Sequence, residues 1–245
     1  MVDPIRLFIG TSANREDYAI ERIYEYSLRK NTQRDLQITW MQLDQDKKSP
    51  WGGWDTRNWS TPFSGFRWAI PEVCQFTGRA IYTDVDMINY RDIGDLFDID
   101  LGGKPMAARK GTRFGGHEFC VMVFDCEKFF PLAMPIRRLK INPESHHRYI
   151  NGLSGNDDLV QEFDPRWNCL DGEDRTLDDI WQLHFTKMAS QPWKPSWFTG
   201  VTEPHARPDI VEEFHRMEQE VSDNWIHEDN RDRPLRFGPY NIIGR

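Results

Sequence analysis

Two carboxylates stand one residue apart at the end of a short apolar run. Residues 80–90 read AIYTDVDMINY, so Asp84 and Asp86 follow directly after the run. Successive side chains of a strand alternate between its faces, and the two carboxylates therefore point to the same side. Like charges held this close repel each other unless a proton or a cation lies between them. The pair indicates either a site for a hard divalent cation or an exposed strand end in an acidic neighbourhood.

A histidine at the end of a later apolar run is a candidate nitrogen ligand for the same ion. His184 closes residues 180–184, which read IWQLH. A single histidine in such a place is either a hydrogen-bonded core residue or a metal ligand. The doublet His146-His147 is the rival, but adjacent side chains point to different sides and the polar loop around them predicts solvated histidines.

The composition limits the class of protein. The chain has 245 residues and a net charge of −8, with 38% hydrophobic and 29% charged residues, as expected for a globular protein. A nucleic-acid binder or an anionic-membrane binder needs a basic face, so both classes are disfavoured. An anionic substrate can still bind if a metal ion or a local group of lysines and arginines supplies positive charge.

The cysteines and the first residues indicate where the protein works. The four cysteines form no CxxC pair, which predicts reduced thiols. The start, MVDPIRLFIGTS, lacks a basic stretch followed by a long apolar one, and no apolar run is long enough to cross a bilayer. We therefore expect a cytoplasmic protein without a transmembrane segment.

The first elements must position the residues named above. Residues 5–10 predict a buried strand, 14–31 an amphipathic helix capped by Asn14 or Asp17, and 36–43 a second strand. A strand, a helix and a strand at this spacing form a βαβ unit, which is typical of a parallel sheet.

The rest of the chain predicts further strands and helices in one domain over 1–200, with a helical extension over 201–245. The strands are predicted at 80–82, 105–108, 118–125 and 180–185, and the helices at 63–76 with a break at Pro71, from 126 onward, at 155–163 and at 209–226.

A long loop over 44–62 contains Trp51, Trp54 and Trp59. Loops of this length are uncommon unless they are functional or disordered. The tryptophans either pin the loop to the surface or form a platform on which a sugar face or a base could stack. The sequence leaves both interpretations open.

The region around the carboxylate pair resembles a known enzyme family. Residues 63–97, FSGFRWAIPEVCQFTGRAIYTDVDMINYRDIGDLF, are similar to the core of family 8 glycosyltransferases, retaining enzymes related to glycogenin and to bacterial lipopolysaccharide galactosyltransferases. The resemblance is remote and covers most of residues 5–195. It implies the GT-A fold, a Rossmann-like α/β fold with a mixed, mostly parallel central sheet between helices.

The resemblance also assigns roles around the nucleotide and the metal. The opening strand with Thr11 and Ser12 looks like the segment that cradles the base, and Arg67 would contact the nucleotide or Asp84. Mn²⁺, or Mg²⁺, would be held by Asp84, Asp86 and His184, with Asp84 also assisting through ribose or water contacts.

Two later stretches extend the resemblance and depart from it. Residues 117–125 are similar to the family's FNxGVxLxN strand, but Glu118 replaces the Asn and Cys120 replaces the Gly. Residues 156–160 are similar to its DQDxLN segment, which places Asp157 near the anomeric carbon and Asp158 at the second aspartate.

A third stretch, residues 184–195, is similar to HYxGxxKPW, which carries a metal-ligand histidine and a lysine on the diphosphate. One residue is added here, so either Lys187 or Lys194 would contact the diphosphate.

The implied function is metal-dependent, retaining transfer of a hexose from a UDP-sugar to a glycan or another hydroxyl acceptor. Asp157 would act as a nucleophile or as an orienting group. The alternatives are a non-catalytic nucleotide-sugar-binding module and a UDP-sugar hydrolase. The expected partners are the donor and the acceptor, without nucleic acid. The apolar face of the helix at 209–226 would pack on the core or on a second subunit of a homodimer.

Overall fold

The structure, a computed structural model, describes residues 3–13, 16–111, 116–194 and 198–224. Within these ranges the strands are β1 Ile5–Gly10, β2 Leu36–Met41, β3 Arg79–Asp84, β4 Met87–Asn89, β5 Met106–Lys110, β6 His117–Asp125, β7 Val160–Glu162, β8 Cys169–Leu170 and β9 Gln182–His184. The α-helices are α1 Tyr18–Asn31, α2 Ile70–Val73, α3 Ile93–Phe97, α4 Cys126–Phe129, α5 Ile136–Ile141, α6 Ser145–Leu153 and α7 Pro208–Asn224.

Six strands form a mixed central sheet in the order β2-β1-β3-β6-β5-β7. The β2–β1, β1–β3 and β5–β7 pairs are parallel, while β6 runs antiparallel to both of its neighbours. The predicted βαβ unit and the mixed, mostly parallel sheet are confirmed. Because β1, β2 and β3 are parallel, their carboxyl ends meet at one edge, where ligands of open α/β sheets bind.

Three short strands form a second sheet beside this edge, in the order β4-β9-β8. β4 begins just after the carboxylate pair, and Met87 pairs with His184 of β9 in antiparallel register. The small sheet therefore brings two distant parts of the chain together next to Asp84 and Asp86.

The inner strands are buried on both faces. In β1 the side chains of Ile5, Leu7 and Ile9 have no exposed surface, and the same is true of Ile81 and Tyr82 in β3. This burial explains why the central residues of both strands are apolar without polar alternation.

The tryptophan loop is pinned by its own rings. The ring centroids of Trp51, Trp54 and Trp59 lie 5.6, 5.2 and 5.4 Å from that of Phe66, and Trp51 and Trp54 are buried. Rings engaged in this way anchor the loop onto the 3₁₀ turn Phe66–Ala69. Of the two interpretations of this loop, the structure supports the pinned surface loop.

The predicted break at Pro71 is wrong. A 3₁₀ turn, Phe66–Ala69, continues directly into α2, and Pro71 lies in the first turn of α2. Proline is tolerated there because the first backbone N–H groups of a helix have no intrahelical partner. The helix ends before Gln75 and Phe76, which have φ angles of 53° and 54°.

The predicted helix over 155–163 is also wrong. A turn precedes β7, which pairs in parallel with β5. In this turn the Asp158 N–H donates to Asn156 Oδ1 at 3.1 Å. Side chains of Asn and Asp compete for backbone hydrogen bonds in this way, and the competition favours turns over helices.

Helix α7 packs its apolar face on the rest of the chain. Ile210, Phe214, Met217 and Val221 are buried, and the ring of Phe214 stacks on that of Trp193 at 5.3 Å. Of the two packing modes predicted for this face, packing on the core is what the structure shows. None of the described helices has the length and apolar character that a bilayer-spanning segment needs. Asn14 and residues 225–245 lie outside the described residues.

Candidate functional site

Asp84 ends β3 in a buried, paired environment. Tyr82, two residues earlier on the same face, donates its hydroxyl to Asp84 Oδ1, and Arg67 Nη2 lies 3.1 Å from the same oxygen. The Arg67 guanidinium also stacks on the Tyr82 ring at 4.3 Å and donates to the carbonyl groups of Ser64 and Phe119. The carboxylate is therefore held in place inside the protein by a fully engaged arginine.

Asp86 and His184 meet through the small sheet. The Phe185 N–H donates to the Asp86 carbonyl at 2.9 Å, and His184 Nε2 lies 3.2 Å from Asp86 Oδ1. The other ring nitrogen, Nδ1, hydrogen-bonds Asn168 Oδ1 at 2.8 Å. With the amide oxygen accepting, Nδ1 carries a proton and Nε2 is the ring nitrogen directed at the carboxylate, as in metal-binding histidines.

The donor atoms at this place fit a divalent cation. Asp86 Oδ1 is buried and has no hydrogen-bond partner, although His184 Nε2 lies beside it. Ligand atoms of Asp84, Cys120 and His184 lie within 4.8 Å of one another. A buried carboxylate oxygen without a hydrogen bond is costly unless a cation or a proton compensates it. His184 could therefore hold a metal ion together with Asp86, or together with Asp84 and Cys120.

The pKa shifts of Asp86 and His184 are those expected at a site where a cation can replace a proton. Burial raises the pKa of Asp86, and the nearby Asp84 carboxylate adds to the rise while His184 opposes it. Burial alone would lower the pKa of His184, but the carboxylates of Asp86, Asp84 and Asp171 together outweigh burial and raise it. A proton is thus retained between the two side chains, and a divalent ion could take its place.

Two acidic side chains near the start of α1 hold the Thr11-Ser12 segment at the same edge of the central sheet. The Ser12 N–H donates to Asp17 Oδ2 at 3.2 Å, and the Thr11 hydroxyl donates to Glu21 Oε1 at 2.5 Å. The predicted capping role of Asp17 is wrong, because its side chain makes no cap hydrogen bond with the helix. Burial raises the pKa of Asp17 to about 6.

The two aspartates of the predicted catalytic pair lie in the exposed turn before β7. Asp157 has 70% of its side chain exposed, accepts from Lys110 Nζ, and lies 3.7 Å from His117 Nε2. Its pKa is lowered, chiefly by the hydrogen bond from Lys110. Asp158 is exposed as well. Both aspartates match positions of the family motif in the sequence. Among the hydrogen bonds and ion pairs of the described residues, however, neither contacts Asp84 or Asp86.

The two candidate lysines have different surroundings. Lys187 is exposed and pairs with Glu203, whereas Lys194 donates to the carbonyl of Gln191. Gln191 is buried, and its side-chain amide donates to Asp86 Oδ2 at 3.3 Å and to the Phe185 carbonyl at 2.9 Å. Lys194 is therefore joined to Asp86 through Gln191, a residue that was not predicted as part of the site.

The histidine doublet differs from its prediction. It lies in helix α6, and His146 is buried, accepting from Trp68 Nε1 at 2.9 Å. Burial and then the Arg67 charge lower the pKa of His146 to about 3, so it is neutral. His147 is exposed. The prediction of two solvated histidines is wrong for His146, because an indole N–H supplies its hydrogen bond inside the core.

Cys120 and Glu118, the two residues that depart from the family motif, were not predicted as site residues. Cys120 lies within reach of Asp84 and His184, as described above. Glu118 Oε2 and Arg109 Nε lie 3.8 Å apart, and both atoms are buried without a hydrogen-bond partner. The only sequence signal for either residue was that it replaced an expected Asn or Gly.

Comparison with known proteins rests on shape, because no protein-family model and no curated protein sequence matches the chain. The solved structures that match include the bifunctional glycosyltransferase WbbM, with a TM-score of 0.59 and 13% identity over 91% of this chain. The glycosyltransferase GlyE of Streptococcus pneumoniae matches with a TM-score of 0.57 and 16% identity over 90% of this chain. The galactosyltransferase LgtC, solved with donor and acceptor sugar analogs, matches with a TM-score of 0.55 and 12% identity over 88% of this chain.

The chain has the GT-A glycosyltransferase fold. It spans about half of the WbbM chain (52%) and 64% of the GlyE chain, but 96% of the LgtC chain. Within the GT-A fold, the edge formed by β1, β3 and the small sheet is where Asp84, Asp86 and His184 converge. The fold predicted from the sequence is confirmed, and membership in family 8 stays a prediction, since identities of 12–16% show the fold alone.

Proposed function

We propose that the protein is a metal-dependent retaining glycosyltransferase that moves a hexose from a UDP-sugar to a hydroxyl group of a glycan or another acceptor. The observation that carries the proposal is the buried Asp86 Oδ1, without a hydrogen-bond partner and 3.2 Å from His184 Nε2, at the ligand-binding edge of a GT-A fold. The similarity to sugar-transferring enzymes, including one solved with donor and acceptor analogs, supports the reaction class.

Asp84, Asp86 and His184 would hold Mn²⁺ or Mg²⁺. When bound, such an ion supplies Lewis-acid stabilisation of the charge that develops on the leaving diphosphate. Arg67 keeps Asp84 in place, because its guanidinium is buried against the carboxylate. Asn168 fixes the His184 ring, so that Nε2 stays directed at Asp86.

The remaining residues of the proposal bind and orient the substrates. Thr11 and Ser12, fixed by Glu21 and Asp17, would contact the nucleotide. Lys194 would place a positive charge on the diphosphate, and its link through Gln191 to Asp86 favours it over Lys187. A protonated leaving group is not required, because a nucleoside diphosphate already leaves readily and the positive charges stabilise it.

Retention of configuration requires either a double displacement or attack from the face of the departing phosphate. Asp157 would be the nucleophile in the first route and an orienting group for the acceptor in the second. Its ion pair with Lys110 lies in solvent, so its release costs little free energy. Transfer at a near-normal rate by Asp157→Asn would exclude an essential nucleophile.

The test of the function is binding and turnover of UDP-sugars by the full chain. We expect UDP to raise the melting temperature only when Mn²⁺ or Mg²⁺ is present, and we expect slow release of free sugar from UDP-glucose or UDP-galactose that an added acceptor accelerates. Stabilisation by UDP without sugar release would indicate the non-catalytic module. Sugar release that no member of a glycan array accelerates would indicate the hydrolase.

Three further predictions stay with this function. A cytoplasmic location is tested by cell fractionation, and a homodimer by light scattering of the purified chain.

The division into a catalytic domain over 1–200 and an extension over 201–245 is supported by the way α7 packs through Phe214 on Trp193. Truncation after residue 200 should then expose that apolar surface and lower solubility.

A further inference from the structure

Strand β6 brings a thiol to the edge of the proposed metal site. Thr83 of β3 pairs with Val121 of β6 in antiparallel register, so the next residues along the two strands, Asp84 and Cys120, lie side by side. The backbone of β6 is fixed at this point, because the carbonyl of Phe119 accepts from Arg67. Cys120 is therefore held beside Asp84 by the sheet itself.

Cys120 differs from the other cysteines of the chain. Cys74, Cys126 and Cys169 are buried, whereas Cys120 is half-buried, and all four are unpaired. Cys126, at the other end of β6, has no exposed surface and serves as a small core residue. A thiol that only filled the core would have the surroundings of Cys126, but Cys120 faces a carboxylate and an imidazole.

The three side chains offer one oxygen, one nitrogen and one sulfur to a single point. Their ligand atoms lie within 4.8 Å of one another. An ion bound tetrahedrally at roughly 2.0–2.3 Å has donors that are roughly 3.3–3.8 Å apart, so side-chain rotations would bring the three atoms together around an ion. Among the described residues, this is the trio of ionisable side chains whose ligand atoms lie within 4.8 Å of one another.

We infer that Cys120 is a ligand of the metal ion held by Asp84 and His184, and that its thiolate gives the site a preference for Zn²⁺ or Co²⁺ over Mg²⁺. Carboxylate and water donors alone suit Mg²⁺ and Mn²⁺, whereas a thiolate is a soft donor that selects borderline ions. On binding, the Sγ–H bond breaks, the proton passes to solvent and the sulfur lone pair forms the bond to the metal, with no change of oxidation state. The inference rests on the proposed function, since it concerns the same metal site.

The test is a titration of the full chain with Co²⁺ alone, followed by optical spectroscopy. A sulfur ligand gives Co²⁺ a near-ultraviolet charge-transfer band that oxygen and nitrogen ligands do not give. We expect this band in the wild type and in Cys74→Ser, a matched control away from the site, and its loss in Cys120→Ser. The affinity for Zn²⁺ should fall by at least about tenfold in Cys120→Ser, since even loss of an outer-shell partner costs that much.

The proposal is overturned if the wild type binds Co²⁺ without the band, or if Cys120→Ser keeps the wild-type spectrum and Zn²⁺ affinity. If Cys120→Ser does not fold, alkylation of the wild type decides instead. Zn²⁺ should protect Cys120 from iodoacetamide, read by peptide mass spectrometry, and unchanged labelling would contradict the proposal.

The two proposals fail in different ways. Binding of Mn²⁺ together with UDP, but without a sulfur band and without protection of Cys120, would support the proposed transferase and would exclude Cys120 as a metal ligand. Absence of any metal binding, with or without UDP, would remove both.

Discussion

Asp84 and Asp157 are two carboxylates that the sequence placed in one reaction, yet their surroundings are opposite. Asp84 ends a buried strand and is fixed by Tyr82 and by the buried guanidinium of Arg67. Asp157 lies in a turn with 70% of its side chain in solvent and pairs with the ammonium group of Lys110. The first belongs to an inner cluster with Asp86, Cys120 and His184, and the second to an outer rim with Asp158, Lys187 and Lys194.

The difference shows which parts of the site are fixed before a ligand arrives. The inner cluster is set by strand register and burial, so moving one of its charges leaves another uncompensated inside the protein. Ion pairs at the rim are exposed and contribute little free energy, so they can exchange partners when a substrate binds. Inner substitutions should therefore change stability and metal binding, and rim substitutions should change substrate binding.

The largest effect that separates the two regions is expected for Arg67. Arg67→Ala leaves Asp84 buried without its partner, and breaking such a pair costs about 3–5 kcal/mol in the free energy of unfolding. Urea denaturation measures the loss. Arg57→Ala, which removes the exposed partner of Asp55, is the control and should leave the unfolding midpoint nearly unchanged. Equal shifts in the two variants would contradict the buried pairing.

The next effect concerns turnover. Asp86→Asn keeps nearly the same shape but removes a charge from the proposed metal site, and loss of several kcal/mol of charge stabilisation should slow the proposed sugar transfer by about 10²- to 10³-fold. Release of UDP from the donor with Mn²⁺ present is the measurement. Asp95→Asn, which breaks the exposed pair with Arg91, should retain wild-type turnover. A loss in Asp95→Asn as large as that in Asp86→Asn would show that the assay reports folding.

A third effect depends on pH and tests the acids behind the inner cluster. Burial, assisted by Glu21 and Asp86, raises the pKa of Asp17 to about 6 from the ordinary value of 3.8. The folded state therefore holds a proton that the unfolded state has lost between about pH 4 and pH 6, so the contribution of Asp17 to stability is fully present below pH 4 and is lost as the pH rises through 6. The contribution amounts to up to about 3 kcal/mol.

The pH effect of Asp17 is checked by urea denaturation of the metal-free protein at several pH values. Asp17→Asn cannot ionise, so the decline between pH 4 and pH 6 should be weaker in this variant. The same slope in the wild type and the variant would assign the pH dependence to other acids.

The smallest effect separates the two rim lysines. Lys194→Ala should raise the KM for the donor by about tenfold, the cost of one hydrogen bond to a charged group, with little change in stability. Lys187→Ala removes an exposed pair with Glu203 and should leave the KM nearly unchanged. The reverse order would assign the diphosphate contact to Lys187.

The parts of the molecule that were predictable from the sequence are those set by local periodicity. The alternation of strand and helix over 5–43 gave the parallel βαβ unit, and the carboxylate pair after a buried run gave the site edge. His184 was predictable as a candidate because it ends an apolar strand. Each of these depends on side-chain spacing over a few residues.

The remainder depends on contacts between distant segments. Nothing near Cys120 in the sequence indicates that β6 would run antiparallel beside Asp84. The turn before β7 reads as a helix until Asn156 takes the N–H of Asp158. Asp17 resembles a helix cap, and only the tertiary fold directs it to Ser12 and Trp193. Tertiary packing decides the places of Cys120 and Asp17, whereas the turn before β7 is set by a local side-chain hydrogen bond.

The pairing of Met87 with His184 has a consequence for the proposed metal site. The three-stranded sheet is short, and only a few backbone hydrogen bonds hold β9 against β4. Fraying of this sheet would carry the imidazole away from Asp86 while the six-stranded sheet stays intact. Occupancy of the site therefore reports on the integrity of one small substructure, and amide hydrogen exchange in β9 should slow when the ion binds.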